Sequence, residues 1–279
     1  MKTLGYYNGK CGEIEEMTVP MNDRAGWFGD GVYDAQPCRN YHLFATDEHL
    51  DRFYRSAAAL DIRIPLDKKE MKALLESLVH KLDTGNLFVY YQVTRGTGMR
   101  AHVFPEGPSN LWITMVPEEI LDGLTPIRLI TVEDTRYFHC DIKTLNLIPN
   151  VMASEAAKRA GCQEAVFIRP ENRVTECAHS NIHILKDGTL RTAPLDKLIL
   201  PGTARAHLIA ACRALEIPVD ETPFTKEELF DADEIIVTNC TDLCLRAEMI
   251  DGKPAGCRDY EHFEMLRRYL VEEYMRATQ

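Results

Sequence analysis

The sequence predicts a mixed α/β protein of two domains. Strand-like and helix-like segments alternate along the 279 residues, 45% of the residues are apolar, and a polar stretch with two prolines and a glycine occupies residues 117–126. A chain of this length can form one large domain or two ordinary ones around a full hydrophobic core. We place a small α/β domain at residues 1–119, a linker at 120–126 and a larger domain at 127–279.

The first domain is predicted from helical and strand-like periodicity. A helix at residues 49–62 is indicated because Leu50, Phe53, Tyr54, Ala57 and Leu60 form one stripe, with Thr46 as its cap and Pro65 beyond its end. The other predicted elements are a strand at 43–45, a helix at about 68–82, and strands at 87–95 and 111–116. The residues between the last two strands, rich in glycine and proline, predict a loop.

The second domain continues the mixed pattern. Its predicted elements are a strand at 127–133, an irregular stretch to Asn146, a helix at 148–160, strands at 165–169, 181–185 and 189–192, a helix at 203–215, a buried strand at 234–238 and a helix at about 260–276. Pro149 is tolerated in the first turn of its helix, and Gly161 is expected as the C-cap. Residues 186–188 (Lys-Asp-Gly) predict a hairpin turn.

Composition excludes several classes of function. The net charge of -11 and the pI near 5.3 argue against nucleic acid and anionic membranes, which select for basic surfaces. No segment resembles a signal peptide or a membrane span. Nine cysteines without a C-x-x-C pair indicate neither a disulfide framework nor a zinc site, and the nine histidines show no metal-hydrolase pattern. We therefore expect a cytoplasmic protein without a metal.

Lys143 is the first candidate catalytic residue. It lies between a predicted strand and a predicted helix, where a lysine is usually a solvated surface group. Its neighbours Ile142, Leu145 and Leu147 are apolar, however, and a desolvated lysine favours the neutral amine that can form an imine with a carbonyl group. The position alone does not decide between these interpretations.

Two segments could bind an anion. Leu200-Pro201-Gly202-Thr203 opens a predicted helix, and the backbone N–H groups of a helix start suit a phosphate. The alternative is an ordinary helix cap, with Gly202 in the turn and Thr203 as the N-cap. The second segment, residues 239–241, is a polar turn directly after the predicted strand at 234–238.

Three further charged positions have two interpretations each. Arg52 either lies on the surface of its helix or binds a phosphate through its planar guanidinium group. Glu176 is either a solvated acid at a strand end or the partner of a cofactor ring nitrogen. Arg100 and His102, two residues apart in a glycine-flanked loop, either belong to a mobile basic loop or bind a substrate carboxylate from one side.

In combination, these segments resemble the class IV aminotransferases that depend on pyridoxal phosphate (PLP). The resemblance is carried by DRAGWFGDGVYD (23–34), EHLDRFYRSA (48–57), DIKTLNLIPNVMASEAA (141–157), GCQEAVFIRPENRVTECAHSN (161–181), LILPGTAR (198–205) and DEIIVTNCT (233–241). It spans nearly the whole chain. Within the family, YQVTRG (91–96) and Arg100-Ala101-His102 are most similar to the D-amino acid aminotransferases.

The resemblance implies a two-domain fold of fold type IV, with a small α/β domain and a larger pseudo-barrel domain. It also implies a role for each matching residue: Lys143 as the Schiff-base lysine and proton shuttle; Glu176 at the pyridine nitrogen; Arg52, the backbone of Thr203 and Ala204, and Cys240 and Thr241 at the cofactor phosphate; Leu200 against the ring; Tyr33, Arg100 and His102 at the substrate carboxylate; and Arg136 near the site in support. Family members form homodimers, so a homodimer is expected.

Some positions depart from the family pattern. Ala178 and His179 stand in a turn where small serines are common, and Cys240 stands where a phosphate-binding threonine is common. The reaction class is therefore better specified than the substrate. D-amino acid transamination with a 2-oxo acid is the first expectation, and the alternatives are a branched-chain L-amino acid aminotransferase, an aminodeoxychorismate lyase and a PLP-binding protein without turnover. Arg100 and His102 favour the first, because a site for apolar L side chains needs no such cationic pair.

Overall fold

The structure, a computed structural model, describes residues 1–119 and 125–279 and is a mixed α/β protein, as predicted. The chain divides into two compact units. The first consists of Met1–Ile120, Ile142–Asn146 and Tyr274–Gln279, and the second of Leu121–Asp141 and Leu147–Glu273. The predicted linker at 120–126 falls mostly on residues 120–124, which lie outside the described residues, so the predicted domain boundaries stay a prediction.

The first unit is built on a six-stranded antiparallel sheet. Its strands are β1 (Leu4–Tyr7), β2 (Lys10–Gly12), β3 (Gly31–Arg39), β4 (His42–Leu43), β5 (Leu87–Thr94) and β6 (Asn110–Pro117). They are ordered β2-β1-β6-β5-β3-β4. The long central strands β3, β5 and β6 pair along their whole lengths, which gives the unit a rigid platform.

Three helices belong to this unit: α1 (Arg24–Phe28), α2 (Thr46–Ala59) and α3 (Lys68–Val79). Leu50, Phe53 and Ala57 of α2 recur at helical spacing and are buried in one apolar core with Met71 and Leu75 of α3. A capping box between Asp67 and Glu70 starts α3, since each side chain accepts a backbone N–H of the other residue at 2.8 Å.

The second unit contains a nine-stranded mixed sheet. Its strands are β7 (Ile127–Glu133), β8 (Glu164–Arg169), β9 (Arg173–Cys177), β10 (Asn181–Lys186), β11 (Thr189–Thr192), β12 (Val219–Asp220), β13 (Glu234–Thr238), β14 (Leu245–Ile250) and β15 (Lys253–Pro254). The order is β12-β11-β10-β13-β14-β7-β8-β9, with β15 beside β14. The pairs β11–β12, β14–β7 and β7–β8 are parallel, and the others are antiparallel.

The remaining helices are α4 (Ile148–Arg159), α5 (Thr203–Ala214), α6 (Lys226–Phe230) and α7 (Tyr260–Ala277). Leu208 and Cys212 of α5 share an apolar core with Phe263 and Leu266 of α7. α4 instead buries only the small residues Ala153 and Ala157. Within the described part of the chain, no helix has the length and apolar character needed to span a membrane.

Several local predictions are confirmed and others are wrong. The hairpin turn at residues 186–188 joins β10 to β11, with positive φ angles at Asp187 and Gly188. Thr46 does not cap α2; it is the first helical residue, and the cap is Ala45 in a left-handed conformation. The C-cap of α4 is Ala160, and Gly161 follows it with a φ of +69°. The predicted strand at 43–45 is the short β4, which ends at Leu43.

His183 is a fully buried histidine at the centre of the second sheet. Its Nδ1 lies 2.9 Å from Thr192 Oγ1 and its Nε2 2.9 Å from Thr238 Oγ1. Burial, together with the charge of Arg205, lowers the pKa of His183 to about 3. The ring is therefore a neutral structural group that two hydroxyl partners satisfy.

This lowered pKa predicts a loss of stability in mild acid. Below the unfolded-state pKa of about 6.5, the unfolded chain binds a proton at His183 that the folded chain does not bind. The free energy of unfolding should therefore fall by about 1.4 kcal/mol per pH unit, or about 2 kcal/mol at pH 5. Urea midpoints at pH 7 and pH 5 measure this loss. In His183→Gln, which does not titrate, we expect a smaller loss, and equal losses in both proteins would contradict the assignment.

Candidate active site

Backbone hydrogen bonds hold the segment that carries Lys143 against β3. The Tyr33 N–H donates to the Lys143 carbonyl at 2.9 Å, and the Leu145 N–H donates to the Gly31 carbonyl at 3.1 Å. The Lys143 N–H in turn donates to Ser56 Oγ on α2 at 3.2 Å. The position of Lys143 is therefore set by the main chain and does not depend on its own side chain.

The Lys143 amine lies on an aromatic surface. Its Nζ is 4.4 Å from the centroid of the Tyr33 ring, and the side chain is half-buried. Tyr33 stacks on Tyr90 with a centroid distance of 5.4 Å, and the Tyr90 hydroxyl donates to Gln92 Oε1 at 2.7 Å. Burial raises the pKa of Tyr90 well above its usual range, so the hydroxyl stays protonated. The amine thus has a fixed aromatic neighbour and is still accessible.

Arg52 is buried in an ion pair in the same unit. Its Nε and Nη2 each donate at 2.8 Å to the carboxylate of Asp34 on β3, and His49 Nδ1 lies 2.8 Å from the same carboxylate. Burial alone raises the pKa of Asp34, but Arg52 and His49 outweigh it and hold that pKa well below its usual range. Arg52 is not the surface residue of the alternative interpretation, because only 5% of it is exposed.

His49 completes this buried cluster. Burial lowers its pKa, and although the hydrogen bond to Asp34 works in the opposite direction, the charges of Arg52 and Lys143 lower it further. Neither His49 nor Asp34 is among the site residues predicted from the sequence. The three-residue spacing of His49 and Arg52 on one helix face was the only available signal, since it places both side chains toward the same neighbour.

Arg100 and His102 lie together on an exposed loop of the first unit. The Arg100 guanidinium carbon is 5.2 Å from the centroid of the Phe28 ring, and the His102 ring centroid is also 5.2 Å from it. Both side chains are exposed. The loop therefore presents two basic groups side by side on one aromatic ring.

Residues of the second unit hold the Glu176 carboxylate in place. Glu176 lies inside β9, and only 6% of it is exposed. Its Oε2 accepts hydrogen bonds from the Asn181 side-chain amide at 3.0 Å and from the Leu200 N–H at 2.9 Å. Its Oε1 accepts a hydrogen bond from the Arg136 guanidinium group. A carboxylate held in this way has a defined orientation.

Arg136 is itself held by a buried network. Its Nε and Nη2 donate to the two oxygens of Asp134 at 2.9 Å each, and Nη2 also donates to the Leu198 carbonyl at 3.1 Å. Burial raises the pKa of Asp134, but the bonds and charge of Arg136, with the charge of Arg169, lower it overall. Asp134 and Asn181, which position Arg136 and Glu176, are two residues that the sequence reasoning missed, since nothing in their local pattern distinguishes them.

The start of α5 is suited to an anion. Gly202 is its N-cap, no side chain caps it, and Thr203 is the first helical residue. The N–H groups of an uncapped first turn, with Ala204 next in line, are available for a phosphate. A Cβ at residue 202 would lie 2.0 Å from Asn181 Oδ1, so glycine is required where this turn passes the residue that orients Glu176.

The turn after β13 is closed on itself. Both the N–H and the hydroxyl group of Thr241 bind Asn239 Oδ1, at 2.9 Å and 3.0 Å, and the Asp242 N–H binds the same oxygen at 2.7 Å. Cys240 is half-buried at the tip of this turn. The N–H and hydroxyl groups of Thr241 would therefore have to bind the predicted anion while they also donate to Asn239 Oδ1.

His179 and His139, which the sequence left unassigned, are exposed. The Glu164 carboxylate is buried and organises the turn that contains His179: it accepts the Ala178 N–H at 3.1 Å and the Ser180 hydroxyl at 2.6 Å. His179 Nδ1 lies 3.0 Å from the same carboxylate. The turn thus accommodates a bulky histidine by placing its side chain at the surface.

Known proteins with similar sequences include D-alanine aminotransferases. The chain is 41% identical to that of Listeria monocytogenes serotype 4b over 286 residues, which cover 99% of this chain and 97% of the relative. It is 35% identical to that of Bacillus licheniformis, with coverages of 92% and 90%. The D-alanine aminotransferase of Staphylococcus aureus (strain MSSA476) is also 35% identical, with 90% of each chain covered.

Solved structures share the fold at low sequence identity. The branched-chain amino acid aminotransferase of Escherichia coli superposes with a TM-score of 0.89 at 20% identity, covering 99% of this chain and 96% of its own. A putative 4-amino-4-deoxychorismate lyase from Legionella pneumophila gives 0.85 at 23% identity, with coverages of 93% and 97%. The predicted fold class, that of the fold-type IV enzymes, is confirmed by these neighbours.

The family model "Amino-transferase class IV" matches residues 31–250, which contain Tyr33, Arg52, Lys143, Glu176 and the start of α5. This range covers most of the chain, and full-length relatives exceed 30% identity. The resemblance stated from the sequence is thereby confirmed: the chain belongs to the class IV aminotransferases and is an aminotransferase.

Proposed function

We propose that the enzyme transfers amino groups between D-amino acids and 2-oxo acids, for example from D-alanine to 2-oxoglutarate, giving pyruvate and D-glutamate. The observation that carries this proposal is the pair of basic side chains, Arg100 and His102, placed together on the Phe28 ring. Full-length relatives named D-alanine aminotransferases support the same substrate class.

We also propose that the enzyme works with pyridoxal phosphate, bound covalently to Lys143. The residues fit this cofactor in their chemistry: an accessible amine on an aromatic face, an anchored carboxylate, and an uncapped helix start for a phosphate. When bound, the cofactor supplies a protonated ring that takes up the electron pair left by the departing α-proton. The chain itself must hold, orient and move protons around it.

Lys143 has two roles in this proposal. Its Nζ would be the point of covalent attachment, and as a free amine Lys143 would accept the substrate's α-proton and give a proton back. Because the Lys143 main chain is held by Tyr33 and Ser56, the amine would keep its position in both roles. Tyr33 limits its movement from one side.

Glu176 is proposed to contact the cofactor's pyridine nitrogen. The two hydrogen bonds to its Oε2 and the Arg136 contact to its Oε1 hold it in one orientation, and a carboxylate partner would favour a protonated ring nitrogen. Leu200, whose N–H binds Glu176, is proposed to pack on the ring. Arg136, which belongs to the Asp134 network, is assigned a supporting role near the substrate.

The phosphate is proposed to bind at the backbone of Thr203 and Ala204, with Arg52, Cys240 and Thr241 as further partners. The uncapped first turn of α5 is the strongest feature among these, because its N–H groups and its dipole both favour an anion. Arg52 donates to Asp34 through Nε and Nη2, which fixes the plane of its guanidinium group.

The substrate carboxylate is proposed to bind Arg100, His102 and Tyr33. In Arg100→Ala, the loss of a charge-assisted pair should raise the KM for D-alanine by about 10- to 100-fold, which corresponds to roughly 1.5–3 kcal/mol. Cofactor binding, followed by absorbance, should stay unchanged. Arg55→Ala, which removes an exposed arginine from α2, is the matched control. An unchanged KM in Arg100→Ala would refute the carboxylate role.

A homodimer and a cytoplasmic location complete the proposal. The described residues expose large apolar side chains that a second subunit could cover: in the first unit Val19, Met21, Trp27, Met99, Val103 and Phe104, and in the second Tyr137, Phe138, Ile148, Val151, Met152 and Leu195. No disulfide joins any of the described cysteines, which suits a reducing compartment. Sedimentation at micromolar concentration tests the dimer, and a stable monomer would contradict it.

A further inference from the structure

We propose that Arg24 and Arg95, joined through Asp30, are positioning residues that fix the loop bearing Arg100 and His102. We call these three residues the Asp30 clamp. The inference rests on the proposed function, in which this loop binds the substrate carboxylate. The three residues of the clamp do not touch substrate. They hold the exposed loop so that Arg100 and His102 keep fixed positions relative to each other.

Arg24 binds the loop backbone on both sides of His102. Its Nη1 donates to the Ala101 carbonyl at 2.7 Å and to the Val103 carbonyl at 3.2 Å. Only 4% of Arg24 is exposed, whereas Arg100, His102 and their neighbours are exposed. A buried guanidinium group fixes the local path of this exposed loop, because its Nη1 donates to two loop carbonyls while its Nε is held by Asp30.

Asp30 orients both arginines of the clamp. Its Oδ2 accepts from Arg24 Nε at 2.6 Å and from Arg95 Nε at 2.9 Å. Arg95 also donates to the Leu60 carbonyl at 2.7 Å and to the Asp61 carbonyl at 3.2 Å, which ties it to the end of α2. The carboxylate thus links the rigid part of the first unit to the arginine that binds the loop.

The far end of the loop has its own contact with the clamp. The Arg95 guanidinium carbon lies 3.6 Å from the centroid of the Phe104 ring, a close cation–π contact. Phe28 provides a common surface, since the guanidinium carbons of Arg24 and Arg100 lie 4.9 Å and 5.2 Å from its centroid. The clamp therefore contacts the loop at Ala101, Val103 and Phe104.

The other hydrogen bonds of this loop that the structure describes lie near its start. The Gly98 N–H donates to the Asn22 carbonyl at 3.0 Å, the Trp27 indole N–H donates to the Gly98 carbonyl at 3.2 Å, and the Ala101 N–H donates to the Met99 carbonyl at 2.7 Å. Without the clamp, ordering Arg100 and His102 at binding would cost conformational entropy that a preorganised loop has already lost. Loss of the clamp should consequently weaken substrate binding more than it slows the chemical step.

Arg24→Lys tests the clamp in the holoenzyme. The guanidinium group binds Asp30 through Nε and the two loop carbonyls through Nη1, whereas a lysine has one nitrogen and cannot occupy both places at once. We expect the KM for D-alanine to rise about 10-fold, because about one charge-assisted contact is lost. The kcat and the cofactor absorbance should stay within about two-fold of wild type. Hydrogen exchange of residues 98–104 should become faster. Arg39→Lys is the control, since Arg39 also donates to a backbone carbonyl, that of Thr278, outside this loop.

A second variant guards against misfolding of the first. Phe104→Leu alters an exposed side chain and removes the ring under Arg95, so it should also accelerate exchange of the loop. Unchanged exchange in both variants would overturn the clamp. So would faster exchange with an unchanged KM in Arg24→Lys, if Arg100→Ala does raise the KM. If the KM is unchanged in Arg24→Lys and Arg100→Ala alike while exchange is faster, the clamp is supported and the proposed carboxylate role fails.

Discussion

Replacement of Lys143 by alanine should abolish transamination, with kcat for D-alanine reduced by about four orders of magnitude, the upper end of what general acid–base groups contribute. The variant loses the covalent attachment point and the group that moves the α-proton. Folding should be preserved, because the segment is held by the backbone of Tyr33 and by Ser56 Oγ, and neither contact involves the Lys143 side chain. Turnover and the visible absorbance of the bound cofactor are the two measurements.

Two companion variants separate the role of the Lys143 amine from its charge. Lys143→Arg keeps a cation near the Tyr33 ring but cannot form an imine, so it should be as inactive as the alanine variant. Lys158→Ala, an exposed lysine in the last turn of α4, should behave as wild type. A retained cofactor band in Lys143→Ala would refute the covalent role.

Glu176→Gln should slow the half-reaction with D-alanine by about 10²- to 10³-fold, the effect of removing one preorganised electrostatic partner, while the cofactor stays bound. A neutral amide has about the same shape as the carboxylate but no longer holds a proton on the pyridine nitrogen. Arg136 keeps its two bonds to Asp134, so its buried charge is not left without a partner. Stopped-flow absorbance in a single turnover measures the rate.

The matched control is Glu234→Gln, which also neutralises a fully buried carboxylate of the second unit, one that pairs with Arg246 through both of its oxygens. This variant should lose stability, because a buried ion pair is broken, but should keep the wild-type half-reaction rate. A wild-type rate in Glu176→Gln would reduce Glu176 to a structural residue.

Short motifs in the sequence predict some residues of the candidate site, and residues that depend on tertiary contacts were not predicted. Lys143, Glu176 and Arg52 were predicted because they stand within recognisable strings, although each had an ordinary alternative on local grounds. Asp34 and Asp134 were not found. Each is an acid that becomes important only because folding brings a buried arginine to it, and no spacing rule connects Asp34 to Arg52 or Asp134 to Glu176.

The same limit applies to the fold. β5, β6, β7 and β13 were predicted because β-branched and aromatic residues dominate them. The long central strand β3 was missed, because its buried positions include the polar residues Asp34 and Gln36. Pro37 is also a residue that strand patterns rarely contain, although β3 continues through it. Polar residues at buried positions remove the alternation on which strand prediction depends. In this strand, the departure from the pattern lies where Asp34 holds Arg52.

Absorbance spectra of the purified holoenzyme, before and after D-alanine and separately before and after L-leucine, test both the cofactor at Lys143 and the preference for D-amino acids. We expect a visible band from cofactor bound at Lys143, which D-alanine converts to the pyridoxamine phosphate form and L-leucine leaves unchanged. Conversion by L-leucine with no response to D-alanine would contradict the proposed substrate class in favour of a branched-chain L-amino acid aminotransferase. A protein that shows no such band even with added pyridoxal phosphate would contradict the cofactor assignment itself.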